Sequence, residues 1–299
     1  MQDKTYGLEK PYTVDTLISD VINDSAFEGY GRLIFPIESW YYNGNTLGEL
    51  RLTWYSNIIP DKTVEITNYM KSNVLKGNTI FYDIYSDEEK NIDPTKKDTG
   101  LFFFKGTPGE KFAVCNAGGA FAYVGAMQDS FPHALELSKK GYNAFALIYR
   151  PGAQRACEDL ARAISFIFEH KKELEVNVKD YSLWGGSAGA RMAAWVGSYG
   201  TVSFRERILP KPAAVIMQYT GLSEVTGYEP ATYACVGTND NIAFYRIMEM
   251  YIEQLKEYGI NAKIDVFPVL KHGFGIGQGT VAEGWINNAV KFWEDNIKN

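Results

Sequence analysis

The chain is short of the side chains on which much protein chemistry rests. Among 299 residues there are only three cysteines and three histidines. Cys115, Cys157 and Cys235 cannot all pair within one chain. None forms a C-x-x-C pair, which argues against a zinc or dithiol site and for small buried hydrophobes in a reducing compartment. There is no excess of positive charge: 30 basic against 36 acidic side chains leave a net −6. A general electrostatic grip on nucleic acid or an anionic membrane is therefore not expected. No run of about 18 apolar residues is present, so no membrane span is expected. The first residues, MQDKTYGLEK, lack the apolar core of a signal peptide. The expectation is a cytoplasmic protein, or a secreted one whose leader has been removed. Internal repeats, low-complexity tracts and Pro/Gly/Ser linkers are also missing.

What is present is ordinary globular composition, 45% hydrophobic and 22% charged. From about residue 79 the pattern is rhythmic. Short apolar runs rich in β-branched and aromatic residues fall at Thr79–Tyr85, Leu101–Lys105, Phe112–Asn116, Ala144–Tyr149, Tyr181–Trp184, Ala213–Gln218, Thr232–Val236 and Ala262–Phe267. Several are continuously apolar, as expected of central strands covered on both faces. Between them lie helical periodicities. Cys157, Leu160, Ala161, Ile164, Ile167 and Phe168 share one face, as do Phe244, Ile247, Met248, Tyr251, Ile252 and Leu255, and then Ile286, Ala289, Val290, Trp293 and Ile297. A further helix is expected around Asp129–Lys140, stopped by Gly141. Strand–helix alternation of this length predicts an α/β fold, a mainly parallel sheet with helices on both faces.

Residues 1–78 read differently, with helical pieces at Val14–Asn23 and Thr63–Val74 joined by a glycine- and proline-containing stretch. Trp40, Tyr41, Tyr42, Trp54 and Tyr55 invite the idea of a sugar-stacking surface. Yet eleven aromatics in 78 residues is about 14%, the 14% of the whole chain, so packing is the better expectation. This segment is read as an N-terminal cap packed on a sheet domain spanning residues 79–299.

Residues 185–189 read Gly185-Gly186-Ser187-Ala188-Gly189, a G-x-S-x-G between the strand Tyr181–Trp184 and a small-residue helix, Ala188–Val196. That setting suits a serine nucleophile on a sharp elbow at the top of a sheet. A serine hydroxyl needs a base to take its proton. On such sheets the chain order is nucleophile, acid, histidine. His133 and His170 precede Ser187 and are expected to be structural or solvent-facing, which leaves His272, in Lys271-His272-Gly273-Phe274-Gly275 after the last strand. The acid that orients the imidazole should follow the penultimate strand. Asp240, in Gly237-Thr238-Asn239-Asp240-Asn241, holds that place, and Glu224 is the fallback. An oxyanion needs backbone donors. Ala188 N–H is one candidate. Gly119 and Ala120 in Asn116-Ala117-Gly118-Gly119-Ala120-Phe121 are the others, with Gly118 possible.

The ordered set N-A-G-G-A-F, W-G-G-S-A-G, V-G-T-N-D and K-H-G-F-G resembles the α/β-hydrolase superfamily, in particular bacterial acetyl-esterase/lipase-type carboxylesterases, distant relatives of the hormone-sensitive-lipase group. The resemblance covers roughly residues 79–299. It implies an eight-stranded, mostly parallel sheet, no cofactor, and hydrolysis of small acyl esters through an acyl-enzyme. It carries over Ser187, Asp240 and His272 as the triad, and Gly119, Ala120 and Ala188 as the oxyanion hole. The H-G-G-G of hormone-sensitive-lipase relatives is here Ala117-Gly118-Gly119-Ala120. Only about a dozen residues follow the Ala213–Gln218 strand before the next, so a large cap cannot be inserted there, and residues 1–78 are the segment left to cover the site. The alternatives are a small peptidase or amidase using the same triad, and a binding protein on the same fold without activity. The expected partner is a small-molecule ester, with an exposed cap edge available to a homodimer.

Overall fold

The computed structural model describes residues 10–297. Its centre is an eight-stranded sheet of β1 (Phe81–Tyr82), β2 (Gly100–Phe104), β3 (Lys111–Asn116), β4 (Asn143–Ile148), β5 (Asn177–Gly186), β6 (Ala214–Gln218), β7 (Ala231–Gly237) and β8 (Ala262–Phe267). The spatial order is β1-β2-β4-β3-β5-β6-β7-β8. β2 runs antiparallel to both of its neighbours, and all other pairings are parallel. Strands β2, β6 and most of β3 and β7 are buried along their length. That burial explains their unbroken apolar sequence, because helices remove both faces from water.

Six longer helices clothe the sheet: α1 (Pro60–Leu75), α2 (Phe131–Lys139), α3 (Ala153–Glu169), α4 (Ala188–Tyr199), α5 (Tyr245–Glu257) and α6 (Trp285–Asp295). The register shows which face two of them take. Trp184 of β5 pairs with Ile216 of β6, so its neighbour Val215 points the other way. Trp184 lies 6.1 Å from Trp285 of α6, and Trp285 lies 5.6 Å from His133 of α2. Val215 instead meets α4 at Gly197, where an added Cβ would come within 2.8 Å of its methyl. Helices α6 and α2 thus share one face, and α4 covers the opposite one.

The sequence-based elements hold with local exceptions. The helix expected over Asp129–Lys140 is broken at Ser130, with one turn at Ala126–Asp129 and then α2. Pro132 has no N–H to continue the ladder and restricts the residue before it. The helix expected over Val14–Asn23 forms only at Ile18–Ile22, because Leu17 is drawn into an extended bridge with Thr46. Of Thr79–Tyr85, only Phe81 and Tyr82 join the sheet, at its edge.

Residues 10–78 pack on the sheet's β1–β2 side. Tyr30 stacks on Phe81 at 4.7 Å, and Tyr69 of α1 stacks on Phe104 at 5.3 Å. Ile18, Val21, Phe27, Leu47, Leu50 and Ile66 are buried in the same continuous core as the strands. Among the described residues, no helix is long and apolar enough to cross a membrane. All three cysteines are unpaired and buried, and burial pushes their thiols up, that of Cys157 to about 12.

Candidate active site

Strand order reverses between β3 and β5: the chain proceeds from β3 to β4 on one side, then crosses to β5 on the other. Loops leaving the carboxyl ends of two such strands diverge and open a crevice. The crevice here is bounded by the loop after Asn116 and the turn after Gly186.

Ser187 occupies that turn with φ 53° and ψ −116°, a backbone state that costs an L-residue of order 1–3 kcal/mol and persists only where the surroundings impose it. The surroundings are the flanking glycines. A Cβ on Gly185 would stand 2.3 Å from the Gly189 carbonyl carbon, and one on Gly189 would stand 2.0 Å from the Asn116 carbonyl oxygen. Strand, turn and helix approach too closely for any side chain. The Ser187 N–H is tied down by the Gln218 carbonyl at 3.0 Å, which leaves the half-buried hydroxyl pointing out of the turn.

His272 Nε2 lies 3.2 Å from Ser187 Oγ, and its Nδ1 lies 2.7 Å from Asp240 Oδ2. Both His272 and Asp240 are buried. Asp240 Oδ1 also accepts the N–H groups of Ile242 (2.8 Å) and Ala243 (2.7 Å). Donors that can only donate hold the carboxylate in its acceptor form, so Nδ1 carries a proton and Nε2 is the acceptor facing the serine. Ser56 Oγ donates to the His272 carbonyl at 2.5 Å, fixing the loop that carries the imidazole. Glu224 is exposed and makes no hydrogen bond to His272. The three residues singled out from the sequence thus meet across 32 to 85 residues of chain.

The loop after β3 is strained. Gly119 (φ 127°), Ala120 (φ 55°) and Phe121 (φ 58°) all have positive φ, two of them without a glycine's freedom. Hydrogen bonds hold the shape: Ala122 N–H to the Gly119 carbonyl (2.9 Å), Gly125 N–H to that of Gly118 (2.9 Å), and Gly152 N–H to that of Phe121 (2.8 Å). Tyr149 O–H braces the loop from beneath at the Ala117 carbonyl, 2.7 Å away. Gly118, by contrast, spends its N–H on Asp129 (3.1 Å), so it cannot serve a ligand. Ala188 opens α4, and a first-turn N–H has no partner within its own helix.

The other histidines have structural surroundings. His133 is buried on α2 with Nε2 2.7 Å from Gln218 Oε1. The Gln218 amide donates to the Gly275 carbonyl, so its oxygen accepts and His133 donates. Burial brings the His133 pKa down to about 4. His170 is half-buried, stacked on Phe166, with Nδ1 2.9 Å from its carbonyl.

Sequence reasoning missed the residues that support these loops. The buried Asp129 and Tyr219 and the half-buried Tyr55 form a cluster beneath the crevice. Gln128 Nε2 bridges the carbonyls of Asn57 (2.8 Å) and Gly273 (3.1 Å). The N-terminal aromatics divide. Tyr41 stacks on Tyr123 at 4.5 Å and Tyr55 enters the cluster, while Trp40 and Trp54 stay 70% and 46% exposed. A hollow of about 740 Å³ lies at the other end of the sheet, at the amino ends of β5 and β7, lined by Asn177–Asp180, Pro230 and Ala231. It brings no serine and histidine together and is not where the chemistry converges.

Three comparisons bear on these observations. The BD-FAE family model matches residues 107–230, a stretch that holds the strained loop and Ser187. No curated protein matches the chain. Among solved structures, an acetyl ester-xyloside bifunctional hydrolase from Caldicellulosiruptor lactoaceticus superposes with a TM-score of 0.64 at 20% identity, covering 73% of this chain and 97% of its own. A propionate-bound esterase, Est2, from Thermogutta terrifontis gives 0.57 at 20% identity, with 66% and 89% covered. A sugar hydrolase from Lactococcus lactis gives 0.57 at 19% identity, with 66% and 94% covered. The sheet order, the elbow and these likenesses agree: the chain has the α/β-hydrolase fold.

Proposed function

We propose that the protein is a serine carboxylesterase hydrolysing small acyl esters, with Ser187 as nucleophile, His272 as base and Asp240 as its orienting acid. The observation that carries this reading is the continuous relay from Asp240 through His272 to a serine held on a strained elbow. In the first step Ser187 Oγ attacks the ester carbonyl as His272 Nε2 accepts its proton. The tetrahedral oxyanion would be met by the N–H groups of Gly119, Ala120 and Ala188. The intermediate collapses as the imidazolium protonates the departing alkoxide. Water, deprotonated by His272, then attacks the acyl-serine and releases the acid. The distance of 3.2 Å between serine and imidazole suits a bond that tightens in the transition state.

The acetyl-type preference rests on two supports. The neighbours are an acetyl ester hydrolase and an esterase holding propionate. In this chain, residues 53–57 press directly on the crevice: Tyr123 O–H donates to the Thr53 carbonyl, and a Cβ on Gly273 would stand 2.9 Å from Tyr55 Cα. In this reading the N-terminal segment is a fixed cap that bounds the acyl and alcohol sites. The test is Ser187→Ala against p-nitrophenyl acetate. Loss of turnover with an unchanged melting temperature supports the assignment, and retained turnover refutes it.

A further inference from the structure

One buried acid has no part in the relay. Asp129 ends the short helix Ala126–Asp129 and is 1% exposed. Among the described residues no lysine or arginine pairs with it. Its Oδ2 accepts the Gly118 N–H (3.1 Å) and the Tyr55 O–H (2.8 Å), and its Oδ1 accepts the Tyr219 O–H. The Gly275 N–H donates to the Tyr219 oxygen at 3.2 Å, which directs the Tyr219 proton to Asp129. Both carboxyl oxygens therefore face donors. Burial raises the carboxyl above the usual carboxylate range, and these donors and the nearby His272 offset only part of the rise.

The position of this carboxylate matters more than its charge. A Cβ on Gly186, the residue before Ser187, would lie 2.4 Å from Asp129 Oδ2. The carboxylate therefore rests against the elbow. It holds the strained loop through Gly118, immediately before Gly119 and Ala120. It reaches the His272 loop through Tyr219, whose ring lies 4.8 Å from the imidazole and whose hydroxyl holds Gly275. It reaches the N-terminal segment through Tyr55. Four chain segments that must agree in position to about half an ångström are fastened to one side chain.

We propose that Asp129 is a positioning residue for the oxyanion hole: by taking the Gly118 N–H, its carboxylate fixes the peptide planes that aim the Gly119 and Ala120 N–H groups at the reacting carbonyl. The proposal rests on the serine-esterase reading. Asp129→Asn keeps the shape but sets an NH2 group against either Gly118 and Tyr55 or Tyr219. In the first orientation the loop loses its anchor, and in the second Tyr219 loses its acceptor and the cluster its tie to the His272 loop, while the relay of Ser187, His272 and Asp240 keeps its own contacts.

The experiment measures p-nitrophenyl acetate turnover and inhibition by a small alkyl trifluoromethyl ketone. The ketone adds Ser187 Oγ to its carbonyl carbon, passes the serine proton to His272, and lodges its alkoxide in the hole. Asp129→Asn is expected to lower kcat about 10–100-fold and to weaken ketone inhibition by a similar factor. KM should stay within about threefold of wild type, because only transition-state contacts are lost. Tyr55→Phe, at the edge of the cluster, should shift kcat and ketone inhibition together by roughly 3–10-fold, and it decides the matter alone if Asp129→Asn does not fold. Wild-type kcat and inhibition in the folded variants, or a loss confined to KM, overturns the positioning role while wild-type activity upholds the esterase. A wild-type enzyme that neither turns over the ester nor binds the ketone overturns both readings.

Discussion

Acidification should act on this protein through His133. The imidazole is buried on α2, donates Nε2–H to Gln218 and leaves Nδ1 without a partner. Protonation would add a charge and an orphan N–H to a dry site, which is why burial brings its pKa from 6.5 to about 4. The sign follows from linkage. Above pH 6.5 both folded and unfolded chains hold a neutral ring, and His133 contributes no pH dependence. Between pH 6.5 and 4 the unfolded chain binds a proton that the folded one refuses, so stability falls as pH falls. At ~1.4 kcal/mol per pH unit the loss reaches roughly 2.5 kcal/mol by pH 4.5 and about 3 kcal/mol below pH 4. The measurement is urea unfolding of wild type and His133→Leu at pH 7, 6, 5 and 4.5. Removing the donor from Gln218 costs the variant about 1–3 kcal/mol at pH 7. That gap should close, and even reverse, by pH 4.5, because only the wild type carries the titration. A gap independent of pH refutes the reasoning. Gln218 also accepts the Ser187 N–H and holds Gly275, so the acid form should lose its site as it loses stability.

Three further outcomes are expected. Gly189→Ala forces a Cβ to 2.0 Å from the Asn116 carbonyl, between two backbone segments that cannot yield, so turnover should drop at least ~100-fold together with a lower melting temperature; ordinary turnover would contradict the elbow geometry. Asp240→Asn reverses the imidazole tautomer and should cut kcat ~10³–10⁴-fold with the fold retained, as seen by circular dichroism beside a turnover assay. Arg150→Met removes the one cation paired with Asp159 among the described residues; Asp159 is fully buried, so the unfolding free energy should fall by about 3–5 kcal/mol, read from urea midpoints; a shift under ~1 kcal/mol would show that the pair contributes little.

Much of this was legible in sequence, for physical reasons that differ by region. The strands β2, β3, β4, β6 and β7 announce themselves because burial on both faces demands unbroken apolar runs, and the partly exposed edge strand β8 matches its expected limits, Ala262–Phe267. The elbow is legible because close backbone packing admits only glycine at 185 and 189, which leaves a local pattern. His272 emerges from scarcity, with only three histidines to choose among. Asp129 was not legible. Its partners are 74 and 90 residues away in sequence and are tyrosines, a residue type present 20 times. A polar contact between distant segments leaves no periodicity. The region 10–59 was also poorly read, since its conformation is set by docking on β1 and β2 rather than by its own pattern.

The central claim is that Ser187 is a nucleophile activated by His272. Its most direct test is the intact mass of the protein after exposure to a small fluorophosphonate, with the site located by peptide mapping. The account predicts a single adduct on Ser187 in the wild type and none in His272→Ala over the same time. No adduct on folded wild-type protein, or equal labelling without the imidazole, would contradict it.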